Sequence, residues 1–264
     1  MVSSTEKAVR VINPSGRSLF VVAVDHASNR IPEPWGDLGL SAQDRVRHIA
    51  WDPGALAVAL DLVDLLGATI IQSTVSRLVI DCNRDTDAPD LIPEVSETTE
   101  IPGNLSLTQA DRQRRIEVAH MPFHSALDEV LDARKAAGIE TILVCMHSLN
   151  PVYRGVERPW PIGLIHGRDN HYTSALRDAL LAEDPTLNVG WNEPYSALNG
   201  VTYTLEHHGD GRGLESTMIE VRNNEIADRP GVELWSRRLA RSLLAAAEVR
   251  RGAFSPNQRD QSHA

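Results

Sequence analysis

The chain has 264 residues, an ordinary apolar content of 42% and a formal net charge of -10, with a pI near 5.4. A nucleic-acid surface needs a basic balance or a basic stripe. The short arginine groups (Arg112, Arg114 and Arg115; Arg237 and Arg238; Arg250 and Arg251) read instead as solvated helix faces, so nucleic acid is excluded as a partner. No apolar run approaches membrane-spanning length, and the opening Met-Val-Ser-Ser-Thr-Glu-Lys lacks the apolar core of a signal peptide. The only cysteines, Cys82 and Cys145, lie in or beside apolar strand patterns without metal-type spacing, which reads as two buried, reduced thiols. The expectation is a soluble cytoplasmic protein with no membrane partner.

In chain order, residues 1–17 are polar and read as a flexible lead. Leu19 to Val24 is a buried strand, followed by the Pro- and Gly-rich loop Asp25-His-Ala-Ser-Asn-Arg-Ile-Pro-Glu-Pro-Trp-Gly. Ser41 caps a short helix to Ile49. A stronger helix runs from Gly54 to Leu66, with Leu56, Ala59, Leu60, Val63 and Leu66 at helical spacing and Gly67 ending it. Ala68 to Gln72 and Arg77 to Asp81 are two short strands, expected to pair antiparallel. Residues 85–107 form a long irregular loop, a length usually tied to function. Thr108 and Asp111 resemble a capping box opening a helix to Ala137 that Pro122 should kink or divide. The run from Ile139 to Met146 is a buried strand ending at His147. After a Pro-rich loop at 151–161 come a strand (Ile162 to Ile165), a helix (Ser174 to Ala182), a short strand (Leu187 to Trp191), two more strands expected to pair antiparallel (Val201 to Leu205, Thr217 to Val221) and a last helix from about Val232 to Val249. Residues 251–264 read as a disordered tail. Alternation of strands and helices implies one α/β domain over residues 18–250, with a central, mostly parallel mixed sheet flanked by helices.

Two buried strands each deliver a histidine, His26 and His147, to the carboxyl edge of this sheet, where ligands collect in open α/β folds. A catalytic zinc site takes three protein ligands, mixing histidine and carboxylate. Asp52 is the candidate third ligand, although an Asp followed by Pro at a helix start is also a standard cap arrangement. Asp25, as ligand or as a group orienting a histidine, and His48, four residues before Asp52, remain open alternatives. Asn83 and Arg84 follow a strand and could grip a substrate carboxylate; Arg77 invites the same reading, and all three could equally be paired within the protein. Glu220 is a carboxylate inside an apolar strand, which is costly unless paired or functional, and so is a candidate general base. His207, in the loop before it, is a further polar contributor. Gly209-Asp-Gly-Arg-Gly213 lacks the strand and helix that a phosphate loop requires. No Gly-x-Ser-x-Gly elbow points to a serine hydrolase.

His26-Ala-Ser-Asn-Arg-Ile-Pro after a strand, Trp51-Asp52 opening a helix, Ser76-Arg77 through Asp81-Cys-Asn-Arg84, Met146-His147-Ser, Thr204-Leu-Glu-His207 and Ile219-Glu220 together resemble the N-formylglutamate amidohydrolase family. The resemblance covers residues 18–248. It implies a fold similar to the zinc-dependent exopeptidases (phosphorylase/hydrolase-like), a zinc or other divalent ion on His26, Asp52 and His147, and hydrolysis of an amide next to a substrate carboxylate. It also implies that Asn83 and Arg84 hold the carboxylate and that Glu220 is the general base. A related enzyme acting on another N-acyl amino acid or small peptide, and a metal-free binding module on the same fold, are the alternative expectations.

Overall fold

In the computed structural model, which describes residues 7–195 and 200–254, a seven-stranded mixed sheet carries helices on both faces. The strands are β1 (Val9–Ile12), β2 (Phe20–Val24), β3 (Thr69–Ser73), β6 (Ile142–Leu149), β9 (Ile162–Ile165), β10 (Val189–Trp191) and β11 (Glu215–Arg222). Two small hairpins, β4 (Val95–Ser96) with β5 (Thr99–Glu100) and β7 (Val152–Tyr153) with β8 (Val156–Glu157), stand apart from it. The sheet order is β1-β3-β2-β6-β11-β9-β10. The four central strands β3, β2, β6 and β11 are mutually parallel, while β1 and β9 run antiparallel to their neighbours β3 and β11. The carboxyl ends of β2, β6 and β11 therefore meet at one edge.

The strands are apolar on both sides because both sides are covered. Phe20, Val22 and Val24 of β2, Val144 and Met146 of β6, and Ile219 and Val221 of β11 pack against the helices α1 (Ala55–Leu66), α4 (His171–Glu183) and α5 (Arg229–Phe254). α5 contributes Trp235, Leu239, Leu243 and Ala246 at helical spacing. The alternate residues Val21, Ala23, Leu143, Cys145 and Met218 meet Phe123, Leu127 and Leu131 of α3 (Met121–Ala136). A residue of β6 or β11 in phase with Cys145 or Met218 thus faces α3, and His147 and Glu220 have that phase. A third cluster, with Leu78, Leu91, Ile92 and Ile101, fills the space beneath the long loops.

Thr108 makes the expected capping box. Its hydroxyl accepts from Asp111 N at 3.2 Å, and the Asp111 carboxylate accepts from Thr108 N at 3.1 Å, opening α2 (Gln109–Arg115). The long helix is then divided by a π turn, Ile116–His120, ahead of Pro122 in α3. A proline has no N–H to return to the preceding turn, and the widened turn lies where that bond would fall.

Several expectations are corrected. Val9–Ile12 is not loose but an edge strand paired with β3. Residues 251–254 continue α5, while the rest of the expected tail, like residues 1–6, lies outside the described residues. Between Ser41 and Ile49 only a short 3-10 turn, Asp44–Val46, forms. Arg77 to Asp81 is not a strand: Leu78 O accepts from Asn104 Nδ2 at 2.8 Å, and Val79 O accepts from Arg115 Nη1 at 2.9 Å. Side chains satisfy the backbone there in place of a ladder, so an apolar run imitates a strand while filling a core. Val201 to Leu205 is not a strand either. Glu206 N donates to Thr202 O at 2.9 Å, and the chain winds into a second π turn, Leu205–Gly209.

Candidate metal centre and active site

His26 lies two residues beyond β2. His147 lies within β6, which runs on to Leu149 because its pairing with β11 continues to Leu149 opposite Arg222. Glu220 is the residue of β11 directly opposite His147. Asp52 arrives from the loop before α1. The helix is capped not by Asp52 but by Gly54 at φ 83°, in the left-handed region. That turn leaves the Asp52 side chain free to point at the sheet edge, and Asp52 N donates to His26 O at 2.9 Å, fixing the two segments together.

Both imidazoles present Nδ1 to the same oxygen. Asp52 Oδ2 is 3.4 Å from His26 Nδ1 and 3.0 Å from His147 Nδ1, with ring centroids 5.0 Å apart. Their far nitrogens are backed by two more carboxylates: Asp81 Oδ1 lies 2.7 Å from His26 Nε2, and Asp25 Oδ2 lies 3.6 Å from His147 Nε2. Asp25 is itself held by the Thr204 hydroxyl at 3.0 Å. One ligand atom from each of His26, Asp52 and His147 lies within 4.8 Å of the others, and all three residues are buried. Asp52 Oδ1 and Glu220 Oε2 are buried without a hydrogen-bond partner. Two nitrogen donors and a carboxylate, with Asp81 hydrogen-bonded behind His26 and Asp25 facing His147, form the donor set a zinc-class ion takes, so the residues fit a divalent metal.

The charges agree with this. Burial opposes protonation of His147, but the hydrogen bond it donates to Asp52 and the charges of Asp25 and Glu220 outweigh it and raise its pKa to about 9. Protons thus satisfy acids that a cation would otherwise satisfy. Burial raises Glu220 to about 7, against the pull of His147. Burial also acts on Asp52, but the charge of His26 and the hydrogen bonds from both histidines hold it well below the ordinary carboxylate range. A buried carboxyl that titrates near neutrality beside a candidate cation site is suited to proton transfer.

His26, Asp52, His147 and Glu220 line a pocket of about 370 Å³, toward the small end of ligand sites at roughly 300–1,000 Å³. The model of the N-formylglutamate amidohydrolase family matches residues 18–227. The chain belongs to that family. Its structure superposes with a TM-score of 0.91 on gene product Atu2144 from Agrobacterium tumefaciens, at 38% identity over 94% of this chain and 98% of that one. The N-formylglutamate amidohydrolase from Ralstonia eutropha JMP134 shares the fold at a TM-score of 0.68 and 23% identity, over 94% of this chain and 100% of that one. No curated protein matches.

The other family-motif residues divide by what they touch. Arg77 lines the pocket, yet its Nη2 donates to Asp81 at 2.7 Å and its Nη1 lies 3.6 Å from Asp52, so it supports the acids behind and beside His26. Asn83 also borders the pocket, but its amide is occupied: Nδ2 donates to Val201 O at 2.7 Å, and Oδ1 accepts from Thr204 N at 3.0 Å. Arg84 donates from Nε to Asp90 at 2.8 Å. His48 lies 3.7 Å from Asp52 Oδ1, and burial lowers its pKa to about 4, making it a neutral neighbour. His207 is corrected: it is exposed, does not line the pocket and stacks on Tyr203 with centroids 5.1 Å apart, because its segment is a helical turn rather than a strand approach.

Two contributions went unnoticed in the sequence. Asp81 reads in the sequence as a strand end and as an ion-pair partner for the nearby arginines; what goes unnoticed there is that it also fastens His26. Arg158 is buried between the rings of Tyr153 and Tyr195, at 4.6 and 5.0 Å, with Nη1 unpartnered. Its charge helps hold Glu220 down against burial. No local pattern marks it, since its setting comes from a hairpin and a distant loop.

Proposed function

We propose that the protein is a divalent-metal amidohydrolase that cleaves the amide of an N-acyl amino acid, with N-formylglutamate the first substrate to test. One observation carries the reading: both Nδ1 atoms converge on Asp52 Oδ2, with Glu220 in register beside His147 on the pocket floor. His26, Asp52 and His147 would hold the ion, zinc being the first choice for such ligands. Such an ion supplies Lewis acidity, polarising the amide carbonyl and lowering the pKa of a bound water. Glu220 accepts the proton of the attacking water and delivers it to the leaving nitrogen. Asp81, hydrogen-bonded to His26 Nε2, fixes that imidazole in orientation, and Asp25 sets a negative charge 3.6 Å from His147 Nε2.

The substrate carboxylate falls to Arg84. It lies 3.7 Å from the buried Asp81 and gives its Nε to Asp90, which is 56% exposed, and an ion pair with so exposed a carboxylate is worth only about 0–1 kcal/mol. An incoming carboxylate can therefore replace it. Arg77 is committed to the buried Asp81 and Asp52 and serves as support. The test is metal analysis of the purified protein together with hydrolysis of a panel of N-formyl and N-acetyl amino acids. Metal-dependent release of amino acid from a carboxylate-bearing member is the expected result. Binding of the panel without turnover and without metal would instead favour a binding module on this fold.

A further inference from the structure

A second set of donors lies away from the pocket, where the π turn Leu205–Gly209 meets α3. One atom each from Asp128, His207 and His208 lies within 4.8 Å of the others. On an α-helix consecutive residues do not face one another. The π turn, a form frequent at functional sites, brings the two imidazoles to 4.7 Å between centroids.

The hydrogen bonding of His208 fixes which of its nitrogens is bare. Cys82 O can only accept, so His124 Nε2, at 2.9 Å from it, carries a proton. His124 is buried and touches no carboxylate, so a charge there would be uncompensated, and its Nδ1 is an acceptor. His208 Nε2, at 2.9 Å from that Nδ1, is therefore the donor. The remaining nitrogen, His208 Nδ1, is fully buried, has no hydrogen-bond partner and lies 3.2 Å from Asp128 Oδ1. A lone pair held against a carboxylate oxygen requires a cation or a proton between them. A third donor, His207, favours the cation. His124, bonded to the far nitrogen of His208, is the outer partner that a metal-bound histidine normally has.

We propose that His207, His208 and Asp128 form a second site for a zinc-class divalent ion, structural in role, that fastens the 205–209 turn to α3. The turn follows Thr204, which holds both Asp25 and the Asn83 loop, so the ion steadies the wall behind His147 without entering the pocket. Arg212 is the counterweight. Its Nη2 lies 2.5 Å from Asp128 Oδ1 and its Nη1 lies 2.5 Å from Asp132 Oδ1. An ion on Asp128 works against that guanidinium, which retains Asp132.

The experiment uses the full chain, stripped with chelator, reloaded with excess zinc, desalted and analysed for metal. Wild type should carry two zinc ions, and Asp128→Asn and His207→Ala one each. His147→Ala should also carry one, lost when His207→Ala is added. Zinc should raise the Tm of His147→Ala but not that of the double variant. Arg212→Gln should tighten the second site, whereas a plain ion-pair cluster would bind no metal and merely lose stability. One zinc in wild type that vanishes in His147→Ala overturns the second site. One zinc that persists in His147→Ala but vanishes in His207→Ala leaves it standing and sinks the pocket assignment instead.

Discussion

Asp81→Asn tests the logic of the proposed centre most sharply, because Asp81 is not one of the proposed metal ligands yet holds the first histidine. Its Oδ1 lies 2.7 Å from His26 Nε2 and accepts from Asn83 N at 2.9 Å, while Oδ2 accepts from Arg77 Nη2 at 2.7 Å. An asparagine can keep its oxygen toward His26 and Asn83, but its NH2 must then face the guanidinium. Two effects follow. The basicity and aim of His26 weaken, and loss of such an outer partner lowers metal affinity by about 10–100-fold, or about 1.4–2.7 kcal/mol. The buried Arg77–Asp81 pair is also broken. Removing one partner of such a pair costs about 3–5 kcal/mol, but the surviving polar contacts to Asn83 and His26 place the loss nearer about 2 kcal/mol. Competition with a chelator of known affinity measures the first effect, and urea unfolding of the metal-free protein measures the second. A folded variant that binds zinc as tightly as wild type would refute the role given to Asp81.

Glu220→Gln should lower kcat by about 10²–10⁴-fold with the metal content of wild type; steady-state rates and metal analysis check this, and retained turnover removes Glu220 as base. Arg84→Met should raise KM at least about tenfold for substrates with the carboxylate and leave the hydrolysis of an uncharged acyl amide little changed. An equal loss on both would place Arg84 in the scaffold. Gly54→Ala forces a side chain into the left-handed region, with its Cβ 2.6 Å from Ile226 O; a loss of about 1–3 kcal/mol is expected, read by thermal melting together with zinc affinity, since Asp52 is two residues away. Cys82 and Cys145 are buried, and burial raises both thiols well above their ordinary range, so neither should react with a thiol reagent at pH 8 until the chain is unfolded. Rapid labelling of the native protein would contradict their placement.

Much of this molecule is written locally. The apolar runs of β2, β6 and β11, the spacing of α1, the Thr108–Asp111 capping box and the break at Pro122 follow from neighbours in sequence, which set period, cap and interruption. His26, His147 and Glu220 were legible for the same reason: a polar group at or beyond the end of an apolar strand contrasts with what precedes it. The segments at 77–81 and 201–205 were misread because short apolar alternation does not state whether its backbone bonds will be met by a strand or by side chains such as Asn104, Arg115 and Asn83. What only tertiary structure decided is pairing between groups far apart in the chain. The turn at Gly54 released Asp52 from capping, and the fold brought Asp81 behind His26 and Asp25 behind His147. The helical turn at 205–209 carried His207 out of the pocket to Asp128. The physical reason is that local preference depends on a few adjacent dihedrals and side chains, whereas the role of a buried charge is set by whichever opposite charge the packing brings within about 4 Å.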